Sequence, residues 1–116
     1  MLDRGGGADT PSLARTLFRP MSRPLIERRL TEVSERLHRL RADLAVAEEQ
    51  LAQLTADAED ARVRSLVSET AQSGGAHRDA ERHARAMKRH RDDVVADIAR
   101  LEAAQDDLLD RMGVDD

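Results

Sequence analysis

The chain has no cysteine, no tryptophan and no tyrosine, and its one aromatic residue is Phe18. Without cysteine there are no disulfides, no thiolate nucleophile and no thiolate metal site, and either redox compartment is compatible. A single aromatic side chain cannot supply the core that a compact globular domain of 116 residues would use. No uninterrupted apolar run approaches the roughly 20 residues that span a bilayer. The N-terminus has charges at Asp3 and Arg4 and no apolar h-region after them, so no secretory signal is visible and a cytoplasmic location is expected. Lys88 is the one lysine; Gly5-Gly6-Gly7 and Gly74-Gly75 lead to no phosphate-loop lysine and read as hinge-type glycines.

What is present is a ladder. Small or apolar residues alternate at steps of four and three through Ile26, Leu30, Val33, Leu37, Leu40, Leu44, Ala47, Leu51, Leu54, Ala58 and Ala61. A second ladder runs Ala80, Ala84, Met87, Arg91, Val94, Ile98, Leu101, Gln105, Leu108, Met112, with Arg91 and Gln105 out of type. A period of 3.5 sustained over several heptads is the mark of a left-handed coiled-coil seam. The expected fold is therefore all-α, an antiparallel two-helix coiled-coil hairpin. Val95 and Leu109 widen the apolar stripe of the second helix, so dimerisation into a four-helix bundle is a further expectation.

The boundaries follow from capping and turn chemistry. Residues 1–21 carry Gly5-Gly6-Gly7, Pro11 and Pro20 and no ladder, and read as an unstructured extension. Leu13, Leu17 and Phe18 could form one apolar turn there, too short to hold a helix alone. Met21 offers an alternative start for the ordered protein. The hairpin is expected over 22–113, with Ser22 as N-cap and Pro24 in the first turn of a helix over 22–69. The turn is expected over 70–76, where Gly74 and Gly75 supply left-handed conformations. A second helix is expected over 77–112, stopped by Gly113, with an acidic tail over 114–116. On those bounds the first helix is the longer arm, so Leu25 and Ile26 project past its partner. Leu37 pairs with Leu108, Leu44 with Leu101, Ala47 with Ile98 and Leu51 with Val94. Arg91 faces Leu54 and Asp57, and Gln105 faces Leu40. Polar residues at single seam positions usually fix register, the role expected of both. Ser65 and Ser68 fall on the seam while Val63, Leu66 and Val67 fall off it, so the stripe is expected to rotate or splay there.

Charge is arranged in blocks. Over 21–41 six arginines face Glu27, Glu32 and Glu35, and over 42–61 every charge is negative. Over 77–91 Arg78, Arg82, Arg85, Lys88, Arg89 and Arg91 outnumber Asp79 and Glu81, and from Asp92 onward nine acids oppose Arg100 and Arg111. Folding back lays each basic block beside an acidic one. Exposed pairs contribute only about 0.2–1 kcal/mol each, so the pattern selects topology more than it adds stability.

Sites for chemistry are few. His83 and His90 are seven residues apart, about 10 Å along a helix, whereas one ion needs ligands about 2 Å away. With His77 they read as solvated flanking residues. No acid sits on a seam position where burial would tune its pKa. No metal site, cofactor or enzyme activity is expected. The basic start of the second helix could touch phosphates nonspecifically, but without an aromatic platform nucleic acid is a minor alternative. A membrane-surface helix is not expected, because each apolar stripe is committed to the other.

Gly74-Gly75-Ala76-His77-Arg78-Asp79 with Ala80-Glu81-Arg82-His83-Ala84, and further on Asp97-Ile98-Ala99-Arg100-Leu101, resembles the N-terminal coiled coil of the Gre transcript-cleavage factors. The likeness covers about a quarter of the chain and does not reach that family's C-terminal globular domain. It implies RNA polymerase as a partner, its secondary channel receiving a tip formed by Gly74, Gly75 and Arg78. Gly75 and Arg78 stand where that family has its metal-holding tip acids, so the implied role is an accessory factor without cleavage. Separately, Met21-Ser22-Arg23-Pro24-Leu25-Ile26-Glu27-Arg28-Arg29-Leu30 is similar to the start of short actinobacterial coiled-coil proteins of uncharacterised function. The leading expectation is a non-enzymatic scaffold that binds another protein or a second copy of itself.

Overall fold

The computed structural model describes residues 21–115; the 1–20 extension and Asp116 lie outside them. Two helices, α1 (Arg23–Ser68) and α2 (Ala71–Asp115), pack against each other as a helical hairpin, and no strand occurs among the described residues. Each helix is about 68 Å long at 1.5 Å per residue. None is long and apolar enough to cross a membrane.

α1 starts as its sequence dictates. Ser22 is extended, its Oγ accepts from the Leu25 N–H at 3.4 Å, and Pro24 occupies the first turn, where its missing N–H leaves nothing unpaired. Every α1 ladder position from Ile26 to Ala61 is buried or half-buried, with Ile26 and Leu37 almost fully enclosed. On α2 the positions from Ala80 to Met112 are buried or half-buried too, Val94 and Leu108 most deeply. Burying a Leu or Ile is worth about 1.5–3 kcal/mol, and alanine much less. The seam is thus strongest toward the open end and thin near the turn, where Ala58, Ala61, Ala80 and Ala84 carry it.

The turn differs from the sequence expectation. Chain reversal is completed at Glu69 and Thr70, and α2 begins at Ala71, six residues before the expected start at 77. Gly74 and Gly75 are helical, and neither has positive φ. Two local interactions account for this. Glu69 takes the left-handed conformation (φ 52°, ψ 34°) and its N–H returns to the Ser65 carbonyl at 2.9 Å. Thr70 then caps α2: its Oγ1 accepts from the Ser73 N–H at 3.1 Å, while Ser73 Oγ accepts from the Thr70 N–H at 3.3 Å. This reciprocal capping satisfies orphan donors that the glycines cannot satisfy, so the helix starts upstream of them. At the other end α2 runs through Gly113 to Asp115, so Gly113 does not stop it and the tail expected over 114–116 is largely helix.

Moving the turn moves the register. Gln105 Nε2 donates to Ser34 Oγ at 3.3 Å, so Gln105 meets Ser34 and not Leu40. A Cβ at Gly74 would lie 3.9 Å from Ser65 Oγ. Both pairs are centred between Glu69 and Thr70, about three residues upstream of the expected centre. Leu44 is therefore level with Val95, between Val94 and Ile98, and no longer with Leu101; the other expected pairs shift with it. The arms are equal, so Ile26 is enclosed and does not project. The stripe also keeps its phase to the turn: Ser65 is half-buried while Val63, Leu66 and Val67 remain exposed.

Two measurements check these findings. Glycine inside a helix costs about 0.5–1 kcal/mol relative to alanine, and a Cβ at Gly74 or Gly75 meets nothing closer than 3.5 Å. Gly74→Ala and Gly75→Ala should each raise stability in denaturant titrations, and Glu69→Gly should do so by relieving the left-handed strain. Glycines that supplied the turn's left-handed residues would give the opposite sign. For the register, Ser34→Cys with Gln105→Cys should form an intramolecular disulfide on mild oxidation, and Leu40→Cys with Gln105→Cys should not.

Candidate functional site

With both ladders consumed by the seam, what the described residues offer for function lies on the outside of a rod. Arg91 and Gln105, the two polar residues on the seam, are both half-buried. Arg91 lays its stem along the seam and turns its Nε out to Asp92 Oδ1 at 2.8 Å, so the charge stays solvated; it does not reach Leu54 or Asp57 for a partner. Gln105 instead makes the cross-helix hydrogen bond to Ser34. No polar or charged residue is buried among the described residues, and no buried side-chain polar atom lacks a partner.

The glycine-centred tip is not the tip. Gly74, Gly75 and Arg78 stand in the first two turns of α2, below a chain reversal made of Glu69 and Thr70. Arg78 folds back so that its guanidinium lies over both glycines, 3.5 and 3.8 Å from where Cβ atoms would be. The lack of side chains there gives the guanidinium a shelf. At the turn itself Glu69 is the one acidic residue. Beside it a shallow hollow of about 210 Å³ is lined by Ala61, Arg64, Thr70, Gln72, Ser73 and Ala76. Another of about 370 Å³ lies against Arg36, Arg39, Leu40, Ala42 and Asp43. Neither is an enclosed cleft of the kind that holds a small ligand.

His77 is a residue the sequence reading misplaced. It is half-buried, three residues before Ala80 on the continued ladder, and its Nε2 is 2.6 Å from Glu81 Oε1. His77 lies at the first position of the expected second helix, and extending the ladder three residues back from Ala80 would have found it. His83 and His90 are exposed. Glu35 and His38 have Glu-x-x-His spacing, yet both face solvent on α1. No group of three or more His, Asp or Glu is placed to hold a metal ion among the described residues.

The charge blocks are juxtaposed, but their side chains pair mostly along one helix. Between described residues, Arg41–Glu102 at 3.0 Å crosses from α1 to α2. Arg62–Glu59, Arg82–Asp79, Arg100–Asp97, Lys88–Asp92 and Arg111–Asp107 are all three or four residues apart. Helical neighbours meet with less side-chain ordering than partners on another helix, so they compete well for each charge. Hydrogen bonding from Arg62 holds the Glu59 carboxyl below its ordinary range, and Arg62 is raised in return. Arg91, with a lesser contribution from Lys88, lowers Asp92 in the same way.

Compared with protein-family models, curated proteins and solved structures, the chain has no match in any of the three. The surface itself therefore carries the functional argument. Its most apolar exposed part is on α1 next to the turn, where Val63, Leu66 and Val67 follow at i, i+3 and i+4 and are 47, 62 and 81% exposed. Val46, Val95 and Leu109 are the other large aliphatics about half exposed.

The lowered carboxyls give a pH dependence of known sign. A carboxyl depressed in the folded state contributes stability above its unfolded pKa and loses it as pH falls through the folded value. Melting temperature followed by circular dichroism should be flat from pH 7 to about 5 and fall below about 4. Glu59→Gln should shrink that fall. Both carboxyls are solvent-exposed, so the effect is a small part of the acid response.

Proposed function

We propose that the hairpin is a non-enzymatic protein–protein interaction module, a coiled-coil scaffold that binds another protein or a second copy of itself. One observation carries this reading. The seam already satisfies both ladders, yet Val63, Leu66 and Val67 lie side by side in water at one end of the rod. Neighbouring exposed aliphatics at helical spacing are the anchors by which a helix docks on a partner. The hollows beside Thr70 and beside Leu40 are shallow, and no group of three or more His, Asp or Glu among the described residues is placed to hold a metal ion.

The channel-factor reading has less support. The resemblance puts the tip pair at Gly75 and Arg78, which stand within α2 and away from the reversal. The single carboxylate at the turn, Glu69, makes no acidic pair. Nonspecific nucleic-acid binding is also weakened, because Arg82, Arg85 and Lys88 are each paired with an acid on their own helix.

The test is retention of partners by the tagged full chain from its native cell extract, identified by mass spectrometry. Wild type should retain a defined protein, or sediment as an oligomer. Leu66→Asp with Val67→Asp should lose the retained protein while keeping helicity, since both positions are exposed. A monomer that retains nothing the double variant loses would end this reading. Retention of RNA polymerase by wild type, lost with Glu69→Arg and not with the double variant, would favour the channel factor instead.

A further inference from the structure

Leu25, Val46 and Val67 are spaced 21 residues apart along α1. Twenty-one residues are three heptads, so in a helix wound at 3.5 residues per turn all three lie on one stripe. That stripe faces away from α2: Val46 is 52% and Val67 81% exposed, and Leu25 is half-buried. The arrangement is symmetric about Val46. A twofold axis through Val46 would set it against itself and place Leu25 of each copy on Val67 of the other.

The flanking charges have the matching asymmetry. On this outer side, before Val46, Arg28, Arg29, Arg36 and Arg39 outnumber Glu32, Glu35 and Asp43; after it, Glu49, Asp57 and Asp60 outnumber Arg64. None of those four arginines, nor Glu49, Asp57 or Asp60, forms an ion pair with another described residue. This differs from α2, where most basic residues are matched locally. The twofold would bring Arg36 of one copy within one residue of level with Asp57 of the other, Asp43 likewise with Gln50, and Arg29 likewise with Arg64. Glu32 would approach Asp60 of the second copy, within reach of Arg28, Arg29 and Arg36. Laid parallel, two copies would put arginine on arginine.

We propose that this outer face of α1 is an isologous interface, on which a second copy of the chain docks antiparallel with the dyad at Val46. The inference deepens the interaction-module reading by naming one partner and its surface. A contact from Leu25 to Val67 runs about 63 Å. At a helix width of about 10 Å this buries on the order of 600 Å² per copy, the lower edge of what specific dimers use. Three aliphatic anchors and complementary charge blocks over that length suit a dimer of modest affinity that weakens with salt.

The test uses the full chain, which has no cysteine of its own. Val46→Cys should form an intermolecular disulfide under mild oxidation, because the dyad sets the residue against itself; Val95→Cys should not. In sedimentation equilibrium, wild type should dimerise at micromolar concentration. Val46→Glu should weaken the dimer at least about tenfold with unchanged helicity. Arg36→Asp should weaken it too, and adding Asp57→Arg should restore it. A monomer at all concentrations, a dimer that cross-links through Val95→Cys in place of Val46→Cys, or a charge swap that fails to rescue would each overturn the proposal. A monomer that still retains a partner through Leu66 and Val67 would overturn this dimer and leave the interaction-module reading standing.

Discussion

A pair of helices has one stripe in common, and burial along that stripe is the constraint on which the rest of this structure depends. From Ile26 to Ala61 on α1 and Ala80 to Met112 on α2, each step of three or four residues returns the chain to the same face. Leucine, isoleucine and valine supply most of the hydrophobic free energy, and alanine lets the backbones approach where the turn draws them together. Because two helices enclose nothing beyond this line, every other side chain stays in contact with water. Among the described residues, function must therefore be sought on the outside of a rod.

The turn sets which residues meet along that line. A hairpin buries its stripes equally well in several registers that differ by a heptad, so the apolar pattern alone leaves the choice open. Here the choice is made by a few polar atoms: the left-handed Glu69, the reciprocal caps of Thr70 and Ser73, and the Gln105–Ser34 hydrogen bond. The consequence reaches beyond stability. Shifting the reversal to Glu69 removes Gly75 and Arg78 from the tip, and the features that resemble a transcription factor's tip become part of a helix flank.

Electrostatics plays a different part on each helix. On α2 Arg82, Arg85 and Lys88 find acids three or four positions away, which neutralises much of the block where it stands. The first half of α1 holds arginines with no such partners, and its second half holds acids in the same condition. That leaves a dipolar outer face with aliphatic side chains at its centre and ends, a surface organised for association.

The sequence by itself determined the helical hairpin, the seam residues, the Ser22 cap and the antiparallel direction. These follow from period, capping chemistry and charge order, all of which act over a few neighbouring residues and can be read locally. Only the tertiary structure decided where the chain reverses, the register that results, the enclosure of Ile26 and the seam position of His77. The Gly74-Gly75 pair misled because glycine permits a left-handed turn without requiring one, whereas the Thr70–Ser73 caps and the packing of Ser65 beside Gly74 act together to start α2 upstream. The ladder placed Val63, Leu66 and Val67 off the seam, but only the structure showed that they stay in water and that no rotation of the stripe covers them. Which aliphatic residues remain in water depends on which stripe the partner helix covers, and that is settled by packing and not by composition.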